Sequence, residues 1–261
     1  MKTRVITAVV ALLIFLPLVI YGGIPFLALV YLMSFVALYE ILKMNRIHIF
    51  SVPGIMSILA LFLILGPNST FLPTVEAYRL NLLIGIALIM LSFTVISNNR
   101  FSFVDMGFCV MSVAYIGIGF MYAYETRNAG LIYLMYGLLI VWTTDTGAYL
   151  FGRAIGKRKL WPRISPNKTI EGALGGLFSA AVLAVIFSLT GLLDNNMFSL
   201  VVLTVILSAF GQMGDLVESA LKRHFDVKDS GTILPGHGGI LDRFDSFIFV
   251  LPLMNILPII I

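Results

Sequence analysis

Long apolar segments recur along the whole of this 261-residue chain, and only short polar stretches separate them. Most of them approach the ~20 residues that a helix needs to cross about 30 Å of hydrocarbon. Hydrophobic residues make up 59% of the chain and charged residues only 11%, whereas soluble domains carry about 25% charged residues. The sequence therefore predicts an all-α polytopic membrane protein without a sizeable soluble domain.

Nine apolar segments are read as transmembrane helices, although the third is short for a perpendicular span. We expect one integral membrane domain over residues 1–261, with N-terminal helices in 1–129. The helices and cytoplasmic loops of the candidate site then occupy 130–261. The nine segments are 5–21, 24–42, 52–66, 80–97, 104–124, 130–151, 171–193, 198–221 and 244–261.

The basic residues indicate how these helices are oriented. If the N-terminus is cytoplasmic, all 17 Lys and Arg residues except Arg79 and Arg127 fall in cytoplasmic segments, as the positive-inside rule expects. The sequence thus predicts a cytoplasmic N-terminus and a C-terminus outside. We attribute the net charge of +4 to topology and to contact with phosphates, not to nucleic-acid binding.

Two acids, Asp145 and Asp215, lie just inside the apolar runs that lead into the two longest cytoplasmic connections. An acid within a span is costly and marks a functional site by default. For Asp145 the alternative is an acid near a helix end that pairs with a loop Arg. Helical spacing places Asp215, Glu218 and Lys222 on one face of the eighth helix. The two connections are residues 152–170 and 222–243.

The second connection combines acids, bases and glycines and leads directly into the ninth segment. Mg²⁺ prefers oxygen ligands, Lys and Arg neutralise phosphates, and glycines let backbone amides approach closely. The pattern predicts a site for a polyphosphate with a divalent metal. A solvated helix face of alternating charge is the alternative, and it fits 218–229 but not the acids within apolar helix. The polar residues run Lys228-Asp229, Pro235-Gly236-His237-Gly238-Gly239 and Asp242-Arg243-Phe244-Asp245.

The first connection supplies further bases. Gly152 to Lys157 resembles a Walker A loop, but it has three residues between the glycines and Arg158 in place of the Ser or Thr that binds Mg²⁺. We therefore reject that interpretation. Ser165 or Thr169 could cap the seventh helix, whose N-terminus favours an anion. Ordinary capping beside lysines at the membrane surface is the alternative.

Four other residues receive structural interpretations. No zinc or acyl-enzyme motif accompanies His237, so we expect it to shape its loop or touch phosphate. Gly172 and Gly176 form a GxxxG pattern, which predicts close helix packing within the bundle. The single cysteine, Cys109, lies in an apolar run and is expected to be a small buried hydrophobe.

One long pattern begins with Ser219-Ala220-Leu221-Lys222-Arg223, continues with Lys228-Asp229-Ser230-Gly231, and ends with Leu234-Pro235-Gly236-His237-Gly238-Gly239-Ile240-Leu241-Asp242-Arg243-Phe244-Asp245. It resembles the full signature of the phosphatidate cytidylyltransferases, or CDP-diacylglycerol synthases, with no departure along its length. Upstream, Gly214 to Glu218 and Asp145 to Lys157 are also similar to that family, whereas Asn167 stands where many members carry a basic residue. The specific match covers roughly the C-terminal half.

The resemblance implies a reaction in which phosphatidate and CTP give CDP-diacylglycerol and pyrophosphate. The expected place is the inner (plasma) membrane, with the active site on its cytoplasmic face. The resemblance also implies a Mg²⁺-dependent site of two cations held by Asp215 and Asp242, the second cation being either Mg²⁺ or a monovalent ion. The expected partners are CTP, phosphatidate, membrane lipid and a second copy in a homodimer, with no nucleic acid.

The expected site residues fall into two groups. The bases of the second connection would neutralise CTP phosphates, while Lys168 and Arg153 would hold the phosphatidate headgroup. Residues expected in catalysis are Asp215, Asp242, Lys222, Arg223, Lys228, Asp229, Arg243 and Asp245. Residues expected to bind substrate are Arg153, Ser165, Lys168, His237, Gly238, Gly239, Asp145 and Glu218.

Two other functions stay open at this point. A CTP-dependent polyprenol or phytol kinase resembles this family in the membrane region and would transfer the γ-phosphate of CTP to a lipid alcohol, but the complete signature argues against it. A non-enzymatic membrane transporter would use the intramembrane acids as a coupling site. Transporters often contain internal repeats, whereas this sequence has no obvious repeat and its polar residues gather toward one face.

Overall fold

The computed structural model describes residues 2–66, 73–193, 195–257 and 259, which form nine α-helices and one β-hairpin. Each predicted apolar segment coincides with one helix, and positions 258, 260 and 261 of the ninth segment lie outside the described residues. The helices are α1 (Lys2–Tyr21), α2 (Gly23–Met44), α3 (Val52–Leu65), α4 (Pro73–Ile96), α5 (Phe103–Ala129), α6 (Leu131–Ile155), α7 (Ile170–Thr190), α8 (Met197–His224) and α9 (Leu241–Ile256).

Six of the described helices, α2 and α4 to α8, are long and apolar enough to cross a membrane. The apolar stretches of α1 and α3 are shorter, Val9–Tyr21 and Val52–Leu65, and α9 has 16 residues. Many large apolar side chains, such as Val95 and Phe198, point outward, which suits a surface surrounded by lipid. The chain is therefore a helical membrane protein, and a count of nine crossings stays a prediction.

The connection between α6 and α7 is where the described residues depart from an all-α fold. Lys159–Trp161 (β1) and Ser165–Thr169 (β2) pair antiparallel, with Lys159 opposite Thr169 and Trp161 opposite Ser165. These two short strands do not change the predicted all-α class; they form because a polar connection can satisfy its backbone groups by folding back on itself. The hairpin lays β2 against α8, and this contact builds one wall of the site described below.

Small residues let α6 and α7 pack closely, as the GxxxG pattern predicted. A Cβ atom added at Gly172 would lie 2.8 Å from the carbonyl oxygen of Ala148, and one added at Gly176 would lie 2.9 Å from that of Thr144. Any larger side chain at either glycine would push the two helices apart. Gln212 of α8 joins the same packing by donating a hydrogen bond to the Ala173 carbonyl at 3.2 Å.

Helix α5 lies at the centre of the bundle and packs against α2, α3 and α9. Cys109 on this helix is buried and free, which confirms its predicted role as a small apolar residue. Asn45, after the end of α2, donates a hydrogen bond to Asp105 at the start of α5 over 3.0 Å. The rings of Phe108 and Phe225 are in contact there, with centroids 5.3 Å apart. One end of the bundle therefore gathers the end of α2, the start of α5 and the end of α8.

Candidate active site

A cleft of about 530 Å³ opens between the end of α6, β2 and the second half of α8. Asp145 and Arg153 line it from α6, Lys168 from β2, and Gln212 and Asp215 from α8. Bases of the first connection thus meet the two predicted acids of α6 and α8 in one cavity. Asp145 is exposed and lines this cleft, and its role there stays a prediction.

The centre of the cleft is an ion pair between Lys168 and Asp215, whose Nζ and Oδ2 atoms lie 2.6 Å apart. Both side chains keep about a third of their surface exposed, at 30% and 32%. Ser219 donates a hydrogen bond to the other oxygen of Asp215 at 3.3 Å. The pair is accessible from the cleft. If another cation bound Asp215, Lys168 could instead contact a phosphate.

Two turns beyond Asp215 on α8, Lys222 lies between two carboxylates. Its ammonium forms an ion pair with Glu218, four residues earlier, and another with Asp242 of α9 at 2.6 Å. Glu218 is fully buried, and the Asp242 side chain is only 5% exposed. Two acids therefore share one base in a protected place beside the cleft.

Asp242 also holds the connection between α8 and α9 in place. Its Oδ2 atom accepts hydrogen bonds from the Ser230 amide, the Ser230 hydroxyl and the Gly239 amide, each at 2.8 Å. Gly238, beside these donors, has a φ of 85°, a left-handed conformation that glycine adopts readily. The glycines of the predicted signature therefore shape a loop around a carboxylate of the protein itself.

Glu40 of α2 is a site residue that the sequence reasoning missed. It is 3% exposed, and it accepts hydrogen bonds from the amides of Ile240 and Leu241, both at 3.0 Å, and from the Ser230 hydroxyl at 3.2 Å. The carboxylate thus satisfies free amides at the start of α9, where a helix favours negative charge. The rule that singled out Asp145, an acid within an apolar run, would also have found Glu40.

A third acid joins Asp145 and Asp215 near the cleft. Asp245 lies one turn into α9, the helix that packs against α8. The α9 backbone passes close to α8 here, because a Cβ atom added at Gly214 would lie 2.6 Å from the Asp245 carbonyl oxygen. Acids at the end of α8 and at the start of α9 therefore lie near one another, as the sequence predicted.

The exposed bases of the signature do not touch these acids. Arg223 donates to the carbonyl of Ile164 in the hairpin at 3.3 Å, and Arg243 donates to the carbonyl of His237 at 3.0 Å. Lys228 and Asp229 are exposed in the loop. The structure therefore leaves their predicted roles toward substrate as predictions.

Three further predicted residues have structural surroundings that can be described. Thr169, not Ser165, caps α7, because its hydroxyl accepts a hydrogen bond from the Gly172 amide at 3.1 Å. Ser165 instead lies in β2. The buried Nδ1 atom of His237 has no hydrogen-bond partner in the part of the chain that the structure describes. The backbone of His237 shapes the loop, because its amide donates a hydrogen bond to the Leu234 carbonyl at 2.8 Å; a contact of its ring with substrate stays a prediction.

The donor set around the cleft fits a hard divalent cation. Carboxylate oxygens are suitable ligands for Mg²⁺, and each predicted ligand already holds one positive group: Lys168 on Asp215 and Lys222 on Asp242. Within residues 2–66, 73–193, 195–257 and 259, no three His, Cys, Asp or Glu side chains form a ready-made metal site. Mg²⁺ is usually bound by one or two carboxylates together with phosphate oxygens of the substrate.

Comparison with known proteins identifies the family. The sequence matches the cytidylyltransferase family over residues 2–260. The chain belongs to this family. A phosphatidate cytidylyltransferase of Staphylococcus haemolyticus is 58% identical, with 99% of each chain covered, and proteins of the same name from Staphylococcus epidermidis and Staphylococcus aureus are each 56% identical at the same coverage. The family assignment therefore extends over the first five helices, where the sequence reasoning found only shared hydrophobicity.

Proposed function

We propose that this protein transfers the cytidylyl group of CTP to phosphatidate, giving CDP-diacylglycerol and pyrophosphate. The observation that carries the proposal is the pair of lysine–carboxylate contacts on one face of α8, at Asp215 and Asp242. They support it because two cationic side chains and two carboxylates of a type that can bind Mg²⁺ lie at one end of the helical bundle. The family membership and the names of the relatives support the same reaction.

The reaction asks for positioning and charge neutralisation more than for a strong base. An anionic oxygen of phosphatidate forms a bond to the α-phosphorus of CTP, the bond from that phosphorus to the bridging oxygen breaks, and pyrophosphate leaves. Phosphoryl-type transfers of this kind depend on groups that neutralise developing charge. Lys168 and Arg153 would hold the phosphatidate phosphate in the cleft, while Lys222 would face the phosphates of CTP.

Asp215 and Asp242 are our proposed ligands for Mg²⁺, with a second cation, Mg²⁺ or monovalent, shared between them. When bound, these ions supply additional positive charge to the phosphate oxygens. Asp145, Glu218 and Asp245 would add to the negative potential that attracts them. Asp229, Arg223, Lys228 and Arg243, together with His237, Gly238 and Gly239, would order the α8–α9 connection around the nucleotide.

The surroundings of this site form part of the proposal. We place the protein in the inner (plasma) membrane, with nine crossings, a cytoplasmic N-terminus and the cleft on the cytoplasmic face, where CTP is available. Residues 1–129 would support the site formed by 130–261 within one domain. We also propose a homodimer, in which each copy carries its own cleft.

A two-label assay tests the reaction directly. Purified protein in detergent receives Mg²⁺ and phosphatidate, with CTP labelled at the α-phosphate in one sample and at the γ-phosphate in another. We expect label from the α-phosphate alone to enter the lipid phase, and only when phosphatidate is present. Label from the γ-phosphate in an added lipid alcohol would instead identify a lipid kinase, and no CTP binding at all would favour a transporter.

Replacing a proposed metal ligand connects the reaction to the site. Asp215→Asn keeps the shape of the side chain but removes its charge, so we expect kcat to fall at least about 100-fold, because electrostatic groups at a transition state commonly contribute that much. Asp226→Asn is the matched control, since Asp226 is an exposed acid near the end of α8 with a φ of 52° that Asn also adopts. Activity retained in Asp215→Asn would remove the metal assignment.

A further inference from the structure

A second polar cleft, of about 740 Å³, lies at the same end of the bundle but is formed by the N-terminal helices. Its walls are the connection from α2 to α3 and the connection from α4 to α5, and it shares no lining residue with the cleft around Asp215. The hydrogen bond between Asn45 and Asp105 joins these two connections at 3.0 Å. The proposed reaction gives this cleft no role.

The cleft has an excess of positive charge. Arg46 and Arg100 line it, and neither forms an ion pair with any residue that the structure describes. The acid in its lining, Asp105, is already satisfied by the Ser102 amide at 2.9 Å, the Ser102 hydroxyl at 2.7 Å and Asn45 at 3.0 Å. The two guanidinium groups therefore have unused capacity for an anion.

The rim of the same cleft is apolar. Phe93 and Phe101 contribute to its lining, and Phe50 and Ile96 beside it are 75% and 74% exposed. Helix α4, which supplies one side, has only 6% of its apolar window buried in the protein, so its outer surface faces lipid. A ligand that fits has a negative headgroup and hydrocarbon that can lie along α4.

We propose that this cleft binds the phosphate of an anionic phospholipid, with the acyl chains against α4. Basic pockets between membrane helices recognise such headgroups, and Arg offers a planar fork of donors that matches phosphate oxygens. Free phosphate would satisfy the arginines but would leave the apolar rim without a partner. The lipid site is separate from the proposed reaction, because none of its residues belongs to the catalytic cleft.

The test uses phosphatidylglycerol, a phosphodiester that lacks the phosphomonoester of phosphatidate. Delipidated full-length protein in detergent is titrated with this lipid, and the bound lipids are counted by native mass spectrometry. We expect the double variant Arg46→Gln/Arg100→Gln to bind one lipid fewer and with at least about tenfold lower affinity, given the attraction that each surface cation contributes. Arg46→Lys/Arg100→Lys keeps both charges but loses the planar fork of donors, so it should bind more tightly than the glutamine variant and less tightly than the unmodified protein.

Three comparisons decide the outcome. The double variant Lys159→Gln/Arg163→Gln removes two exposed cations from the hairpin and should bind as the unmodified protein does; an equal loss there would overturn the proposal in favour of general surface charge. Two further results would overturn the proposal. One is that phosphatidylcholine binds as tightly as phosphatidylglycerol, and the other is that glycerol phosphate binds as tightly as phosphatidylglycerol. Cytidylyl transfer at saturating phosphatidate should be unchanged in Arg46→Gln/Arg100→Gln, which separates this proposal from the proposed function.

Discussion

At the residue scale, the junction of α8 and α9 depends on Lys222, whose side chain is only 14% exposed. Lys222 holds Glu218 and Asp242 together, and each acid lies where water cannot replace the lysine. Breaking a buried pair by removing one partner typically costs about 3–5 kcal/mol, because the remaining charge is left uncompensated. The same lysine thus serves the stability of the α8–α9 junction as well as the proposed chemistry.

We therefore expect Lys222→Met to lower the stability of the protein by about 3–5 kcal/mol. Adding Glu218→Gln to this variant should restore part of the loss, since it removes one of the two orphaned charges. Thermal unfolding of the three proteins in detergent measures both effects. Lys157→Met is the control, because the side chain of Lys157 is exposed. If Lys222→Met unfolded at the same temperature as this control, the buried pairs would have no structural role.

The residues of the site were predictable to different extents. Asp215, Glu218 and Lys222 could be placed on one face because helical spacing alone determines it. The contact of Lys168 with Asp215 depends on the β-hairpin, whose strand pairing leaves little periodic signal in so short a polar connection. Glu40 lies in an apolar run, as Asp145 does, but its contacts with Ile240 and Leu241 could not be predicted, because these residues are far along the chain and no local pattern reports such a contact.

At the element scale, the helices themselves were the best predicted feature, since long apolar runs leave few alternatives in a membrane. Their packing was less predictable. Gly119 lies where α5 and α9 approach closely. A Cβ atom added at Gly119 would lie 2.8 Å from side-chain atoms of Ile248 and 2.9 Å from its Cα. Gly85 of α4 has no atom within 4 Å of the same position. The sequence does not distinguish these two glycines.

The two glycines form a matched test of helix packing. We expect Gly119→Ala to destabilise the protein by about 1–3 kcal/mol, the usual cost of overpacking, and to reduce activity because α9 carries Asp242 and Asp245. Gly85→Ala should leave stability unchanged or slightly raised, since alanine favours helix. Unfolding temperatures and turnover in detergent measure the difference. Equal behaviour of the two variants would contradict the close approach of α5 and α9.

At the scale of the whole molecule, the two ends of the bundle are chemically different. One end gathers the clefts and most of the basic side chains. At the other end Arg127, one of the two bases that the sequence places outside, donates hydrogen bonds from α5 to the carbonyls of Val19 and Ile20 at 2.5 and 2.7 Å. That arginine thus satisfies the last turn of α1 and is consistent with a structural, not a catalytic, function.

This difference predicts which loops face the cytoplasm. A membrane-impermeant maleimide applied to intact cells should label Asn128→Cys but should reach Thr232→Cys only after the membrane is permeabilised. Both positions are exposed, and the natural Cys109 is buried, which keeps the background low. Labelling of Thr232→Cys on intact cells would reverse the proposed orientation and place the cleft outside.

The bonds of Glu40 also have a consequence in time. Its partners Ile240 and Leu241 follow it by 200 and 201 residues, and ribosomes add about 5–20 residues per second. About 10–40 s therefore pass between the synthesis of Glu40 and the synthesis of its hydrogen-bond donors. During that interval Glu40 lacks the backbone donors that it has in the folded protein. The contact between α2 and the start of α9 therefore forms only after α9 has been synthesised.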